Sequence, residues 1–171
     1  MIFILLVAVF LPAESERCNQ PRRQLRSPGV IQVEFFLSAE CPITLRYLHT
    51  IKNIVEKDDY REVMFIGYLM STVKKPEVGE FKKDYNISDK LMLKTRNVRQ
   101  ARKRDAKVTP EVFVVVDSEV VYQGAIDNWY YGLGKARPVA TEFFLIDALE
   151  AVLKGKQPGI SKTQSVGCFI E

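Results

Sequence analysis

At 171 residues, 47% of them apolar, the chain has room for one domain with a real core and is too short for two. A formal charge of +4 is too small to require nucleic acid or an anionic surface as a partner. Residues 1–13, MIFILLVAVFLPA, form an apolar run too short to span a bilayer as a mature helix but suited to a signal-peptide core. Small residues at Ala13-Glu14-Ser15 predict cleavage after Ser15, hence export without a stable membrane anchor. Residues 16–26 are polar and basic and read as a mobile lead-in. The domain proper is expected over 27–155, followed by a tail over 156–171. The run Val30 to Leu37 is apolar, β-branched and aromatic, which predicts a buried strand ending at the turn Ser38-Ala39-Glu40. Cys41-Pro42 then opens a helix. Pro42 suits its first turn, and Ile43, Leu45, Leu48, Ile51, Ile54 and Val55 continue at helical spacing. A sulfur at that point faces unsatisfied N–H groups and the positive end of the helix, both of which favour a thiolate.

Further along, Glu62 to Met70 predicts a second strand and Lys74 to Tyr85 an amphipathic helix. A short strand is expected within Ile87 to Leu93 and a charged helix over Arg96 to Arg104. The basic run Lys94 to Lys107 contains no stacking aromatic and reads as a solvated helix face, not a nucleic-acid site. Val108-Thr109-Pro110 precedes a strand from Val112 to Val116, a turn at Asp117-Ser118-Glu119 and a partner strand from Val120 to Gln123. Gly124 to Pro138 is an aromatic, glycine-rich loop of the kind that carries function, and its Trp129, Tyr130 and Tyr131 either wall a site or cap the sheet. Ala140 to Lys154 predicts a final helix closed by Gly155. The strand-helix-strand-helix order up to Tyr85 indicates a parallel α/β arrangement with helices on both faces.

Three segments carry a resemblance. FFLSAECPITLRY, residues 35–47, resembles the active-site segment of the thioredoxin-like redoxins, the superfamily that includes thioredoxins and peroxiredoxins. It is most similar to a branch with Cys-Pro-Ile or Cys-Pro-Leu at this point. VTPEVFVVVDSEVVYQGAIDNWY, residues 108–130, matches the same branch apart from one extra valine, as does the tail TQSVGCFIE, residues 163–171. The resemblance therefore spans most of Val30 to Glu171. It implies a thioredoxin-like central mixed sheet, a cis Pro110 beside the reactive sulfur, and a redox role for Cys41.

Thiol exchange needs one sulfur to attack and one to release the mixed disulfide. The position where a Cys-x-x-Cys protein carries its second cysteine is Thr44, so the partner comes from elsewhere or is absent. The resemblance assigns Cys41 as nucleophile and Cys168 as resolving cysteine, with Pro42, Thr44, Thr109, Pro110 and Trp129 as the substrate platform and Cys18 left over. A permanent Cys41–Cys168 bond tying down the tail, and an unpaired Cys168, remain open. A tail of this kind can reach its own subunit or a neighbour, which allows a homodimer. Peroxiredoxins place a threonine or serine three residues before the reactive cysteine and a proline four residues before that. Here Ser38 fills the first place and Glu34 stands in the second, so peroxide reduction and protein thiol-disulfide exchange both stay open, each with an unidentified reductant. No prosthetic group is needed, and no metal-ligand spacing links Cys41, His49 and Cys168. A different class, a noncatalytic binding module using the Trp129–Tyr130 loop, is the alternative.

Overall fold

The computed structural model describes residues 29–70, 78–96 and 98–170. The expected signal at 1–15, the lead-in at 16–26, Cys18 and residues 74–77 of the second helix lie outside the described residues. β1 (Ile31–Ser38) sits at the centre of a five-stranded sheet. Val33, Phe35 and Leu37 enter the core on one face and Phe36 enters it on the other. A strand covered on both faces reads as an almost unbroken apolar run, which is why no polar alternation marks it.

α1 (Pro42–Val55) crosses to β2 (Met64–Met70), which pairs in parallel with β1, Gln32 opposite Met64 and Ser38 opposite Met70. Tyr47, Leu48, Ile51, Ile54 and Val55 give α1 one apolar stripe, buried against the Val33–Phe35–Leu37 face. α2 (Val78–Asp84) is short and adds Phe81 to that face. β3 (Leu91–Arg96) extends the sheet in parallel with β2. It begins at Leu91, not Ile87. Asn86 takes a left-handed backbone with φ of 47°, and the Leu91 N–H closes a turn on the Ser88 carbonyl, so the residues between cannot extend. α3 (Val98–Lys103) covers the opposite face, where Ala101 packs in a cluster with Phe36, Ile66, Tyr68 and Phe113.

β4 (Val108–Thr109) leads through Pro110 into β5 (Glu111–Val116), which runs antiparallel to β1. β6 (Glu119–Gly124) returns antiparallel to β5 over a two-residue turn. Both turn residues, Asp117 and Ser118, have positive φ, as a tight hairpin requires. β7 (Tyr130–Gly132) and β8 (Lys135–Ala136) fold the aromatic loop into a small hairpin. α4 (Phe144–Leu153) then lays Leu145, Ala148, Leu149 and Val152 on the α1 side of the sheet. Full burial of side chains such as Leu145 and Leu149 stabilises the fold by about 1.5–3 kcal/mol each. α4 starts at Phe144 instead of Ala140 because the groups an earlier turn would need are paired elsewhere: the Leu145 N–H goes to the Ile126 carbonyl and the Glu142 carbonyl accepts the Asn128 N–H.

The sheet order is β3-β2-β1-β5-β6, with α1, α2 and α4 on one face and α3 on the other. This is the mixed α/β sheet the sequence implies. A carboxylate at the centre of the α3 face is buried and paired with its counter-ion. Glu34, 2% exposed, receives Arg104 Nε at 2.8 Å and Nη2 at 2.9 Å, with Gln32 and Tyr68 also donating to it. One member of the basic run is therefore a structural counter-ion. The tail is not free either: β9 (Cys168–Phe169) pairs antiparallel with β4.

Candidate active site

Cys41 occupies the N-cap of α1, with φ −88° and ψ 112°, and Pro42 follows in the first turn. The turn from β1 is held locally. The Cys41 N–H reaches the Ser38 carbonyl at 3.3 Å, the Glu40 N–H reaches Ser38 Oγ, and the Ser38 hydroxyl donates to Glu40 Oε2. Thr44 is fully buried and its Oγ1 accepts the Ser38 N–H at 3.4 Å, so the residue in the second-cysteine place ties the strand end to the helix start.

Two groups meet the Cys41 sulfur. Cys168 Sγ lies 2.7 Å away and donates to it, and the Thr109 carbonyl lies 3.0 Å away and accepts a hydrogen bond from it. Both cysteines are free thiols here, yet their separation is within an ångström of the ~2.05 Å disulfide bond. Burial works against a charged Cys41. The donors outweigh it: the Cys168 thiol, followed by the amide and hydroxyl of Thr44, which aim at the sulfur without closing a capping bond, hold Cys41 below the ordinary thiol value. Cys168 moves the other way. Burial, and then its hydrogen bond to and charge repulsion from Cys41, push it up to about 11. The sulfur at the helix start is thus the one that ionises first.

The tail reaches this point along two anchors. Near its root, the Gln123 N–H meets the Ser161 carbonyl at 2.9 Å and the Thr163 N–H meets the Gln123 carbonyl at 3.0 Å. Thr163 Oγ1 also bonds the Tyr122 hydroxyl and the Ala125 N–H. At its end, Cys168 stands opposite Thr109 and Phe169 opposite Val108, and the Ile170 N–H reaches the Lys107 carbonyl at 3.0 Å. Gly167 makes the approach possible: a Cβ there would sit 2.2 Å from the Thr109 carbonyl oxygen. The Thr109–Pro110 peptide bond is cis, and Pro110 is buried beside it.

The remaining candidates divide. Pro42 lines a cleft of about 380 Å³ together with Ile43, Arg46, Tyr130, Leu133 and Cys168. Trp129 stands behind it: its ring packs edge-on against Tyr47 and Tyr130, and its Nε1 donates to the Arg137 carbonyl. Tyr130 is the aromatic that reaches the cleft, although the sequence favours Trp129 by type. Tyr47 donates to the buried Asp127 at 2.6 Å and so fixes this cluster; neither residue stands out in the sequence. His49 is exposed, hydrogen-bonds Asn53 and does not face the sulfurs. Glu34, which stands at the position of the peroxiredoxin proline, lies on the α3 face paired with Arg104. Among the described residues no group of three or more His, Cys, Asp and Glu side chains comes together as a metal site.

No family model matches the chain, and no curated protein does. Solved structures do match. An uncharacterized conserved protein from Geobacillus kaustophilus shares 20% identity over 85% of this chain and 78% of that one, with a TM-score of 0.70. A hypothetical protein from Sinorhizobium meliloti 1021 shares 23% identity over 84% and 79%, with a TM-score of 0.66. A thioredoxin-like protein from Aeropyrum pernix matches in part, at 15% identity over 56% and 69% with a TM-score of 0.47. Two parallel strands joined by a helix that begins at a cysteine, an antiparallel hairpin entered through a cis-proline, and a closing helix on the cysteine side make one arrangement. The fold is thioredoxin-like. In such a fold the end of β1, the start of α1 and the β4–Pro110 loop converge, and the tail cysteine of this chain has been brought to that convergence.

Proposed function

We propose that this chain is an exported thiol-based oxidoreductase in which Cys41 is the attacking thiolate and Cys168 the resolving thiol. The observation that carries the reading is the 2.7 Å approach of a tail cysteine to a helix-start cysteine beside Thr109 and Pro110. With a peroxide, the Cys41 thiolate attacks one oxygen, the O–O bond breaks with the other oxygen leaving as hydroxide or alkoxide that takes up a proton, and the sulfenic acid condenses with Cys168 to a disulfide and water. With a protein disulfide, Cys41 attacks one sulfur and expels the other as thiolate, after which Cys168 displaces the substrate thiolate from Cys41. Either route ends in the same Cys41–Cys168 bond and needs an external thiol to reopen it. Thr109 and Pro110, which β9 covers in the docked state, would line an extended substrate once the tail is displaced, with Pro42 and Thr44 holding the helix start.

Export rests on residues 1–15. Among the described residues no helix is long and apolar enough to cross a membrane. The β4–β9 pairing also suits a second reading, a binding module whose tail is strapped by a permanent disulfide. Peroxide consumption and insulin-disulfide reduction, assayed with wild type, Cys41→Ser and Cys168→Ser, separate the two. Enzyme chemistry predicts activity abolished by Cys41→Ser, a substrate adduct retained on Cys41 in Cys168→Ser, and a Cys41–Cys168 peptide in nonreducing mass maps after mild oxidation. A wild type inert toward both substrates favours the module.

A further inference from the structure

Within the proposed redox pair the two sulfurs differ in access. Cys41 is 1% exposed, enclosed by the tail and the start of its own helix. Cys168 is only partly buried and borders two clefts. The smaller, about 150 Å³, also touches Cys41 and lies among Ser38, Glu40, Met70 and Ile170. The larger, about 380 Å³, touches Cys168 and not Cys41, so a thiol lodged there meets Cys168 first. Its lining is apolar, from Pro42, Ile43, Tyr130 and Leu133, with the single cation Arg46.

We propose that, once the Cys41–Cys168 bond has formed, the reducing thiol attacks Cys168 rather than Cys41, entering through the Pro42–Tyr130 cleft, where Arg46 favours a thiol that carries a carboxylate. The inference rests on the redox reading of this pair. The step balances as an exchange. An external thiolate forms a bond to Cys168 Sγ, the Cys168–Cys41 bond breaks, and its electron pair stays on Cys41 as thiolate. A second external thiol attacks the first one's sulfur, releasing the external disulfide and leaving Cys168 to take up a proton. Two thiols are oxidised and one protein disulfide is reduced. Departure of Cys41 as thiolate is favoured by the Thr44 amide and hydroxyl at the helix start, which stay aimed at its sulfur while Cys168 carries the external thiol. The residue named as resolving cysteine thus has a second role as the port for reduction.

The test begins with the full chain oxidised to the Cys41–Cys168 form. It is mixed with mercaptoethanol or mercaptopropionate, quenched with acid at short times and mapped by mass spectrometry. The expected early species carries the adduct on Cys168, with Cys41 free. A second measurement compares the reduction rates with the two thiols, normalised to a small-molecule disulfide. Wild type should favour mercaptopropionate about 2- to 5-fold, the scale of one exposed charge, and Arg46→Ala should lose that preference. An adduct on Cys41, or a wild type without the preference, overturns the inference while leaving the redox reading standing. A chain that never forms the Cys41–Cys168 bond overturns both.

Discussion

Replacing Gly167 by alanine tests whether the tail strand, and not chance proximity, brings the sulfurs together. The added methyl would lie 2.2 Å from the Thr109 carbonyl oxygen and 2.6 Å from its carbon, far inside van der Waals contact. Neither atom can yield, since both belong to the backbone that enters β5. The tail must lift. Lifting gives up the Ile170–Lys107 hydrogen bond, the Thr109–Cys168 pairing and the sulfur contact. At about 1 kcal/mol for each of two or three such interactions, the docked state loses on the order of 2–3 kcal/mol, or roughly one and a half to two powers of ten in population. The rate of Cys41–Cys168 bond formation after a pulse of oxidant, followed by quenched alkylation and mass mapping, should fall by that factor. The melting temperature should move little, because the Ser161–Thr163 anchor on β6 is untouched. A Gly167→Ala protein that forms the bond at the wild-type rate would show that the β4–β9 pairing does not deliver Cys168.

The thiols of the reduced protein should titrate in two steps, one below the ordinary thiol value and one at about 11, read from thiolate ultraviolet absorbance and absent from Cys41→Ser as a pair. The signs are opposite for stability. The Cys41 contribution is present above the unfolded thiol value of about 8.5 and lost as pH falls through its lowered value, whereas that of Cys168 is present below about 8.5 and lost as pH rises toward about 11. A single step at the ordinary value would contradict the site's electrostatics. Arg104→Ala should destabilise by about 2–3 kcal/mol in urea unfolding, below the full cost of a stranded buried charge because Gln32 and Tyr68 still donate to Glu34. A loss under 0.5 kcal/mol would mean that the pair is immaterial to the fold. Leu149→Ala, at a fully buried position of α4, should cost about 2–5 kcal/mol, and a surface-like value would place α4 off the sheet.

The elements with strong internal patterns were legible in the residues alone. β1, α1 and the β5–β6 hairpin announce themselves by an unbroken apolar run, helical spacing after Cys41-Pro42, and a turn bracketed by β-branched residues. Element starts were harder where distant backbone or a local turn takes hydrogen bonds that spacing assigns to the element. The Ile126 carbonyl does this to the Leu145 N–H at α4, and the Ser88 turn does it ahead of β3. At the site, Cys41 is visible because helix ends have fixed electrostatics, and the meeting with Cys168 comes from the family resemblance because no local pattern spans 127 residues. Arg104 as partner of Glu34, and Tyr130 instead of Trp129 at the cleft, depend on which side chains the sheet brings together. A charge run and an aromatic run look the same whichever member turns inward.

The enclosure of Cys41 has a consequence for what the docked protein can meet. With the sulfur 1% exposed, an oxidant bound for Cys41 would pass through the cleft of about 150 Å³ that touches it, room for a hydroperoxide and not for a folded protein. On the proposed redox reading, the closed tail would act as a sieve by molecular size, and a bulky partner would need β9 to lift from β4. Conditions that loosen those last residues would widen the range of oxidants without altering the chemistry of the sulfur itself.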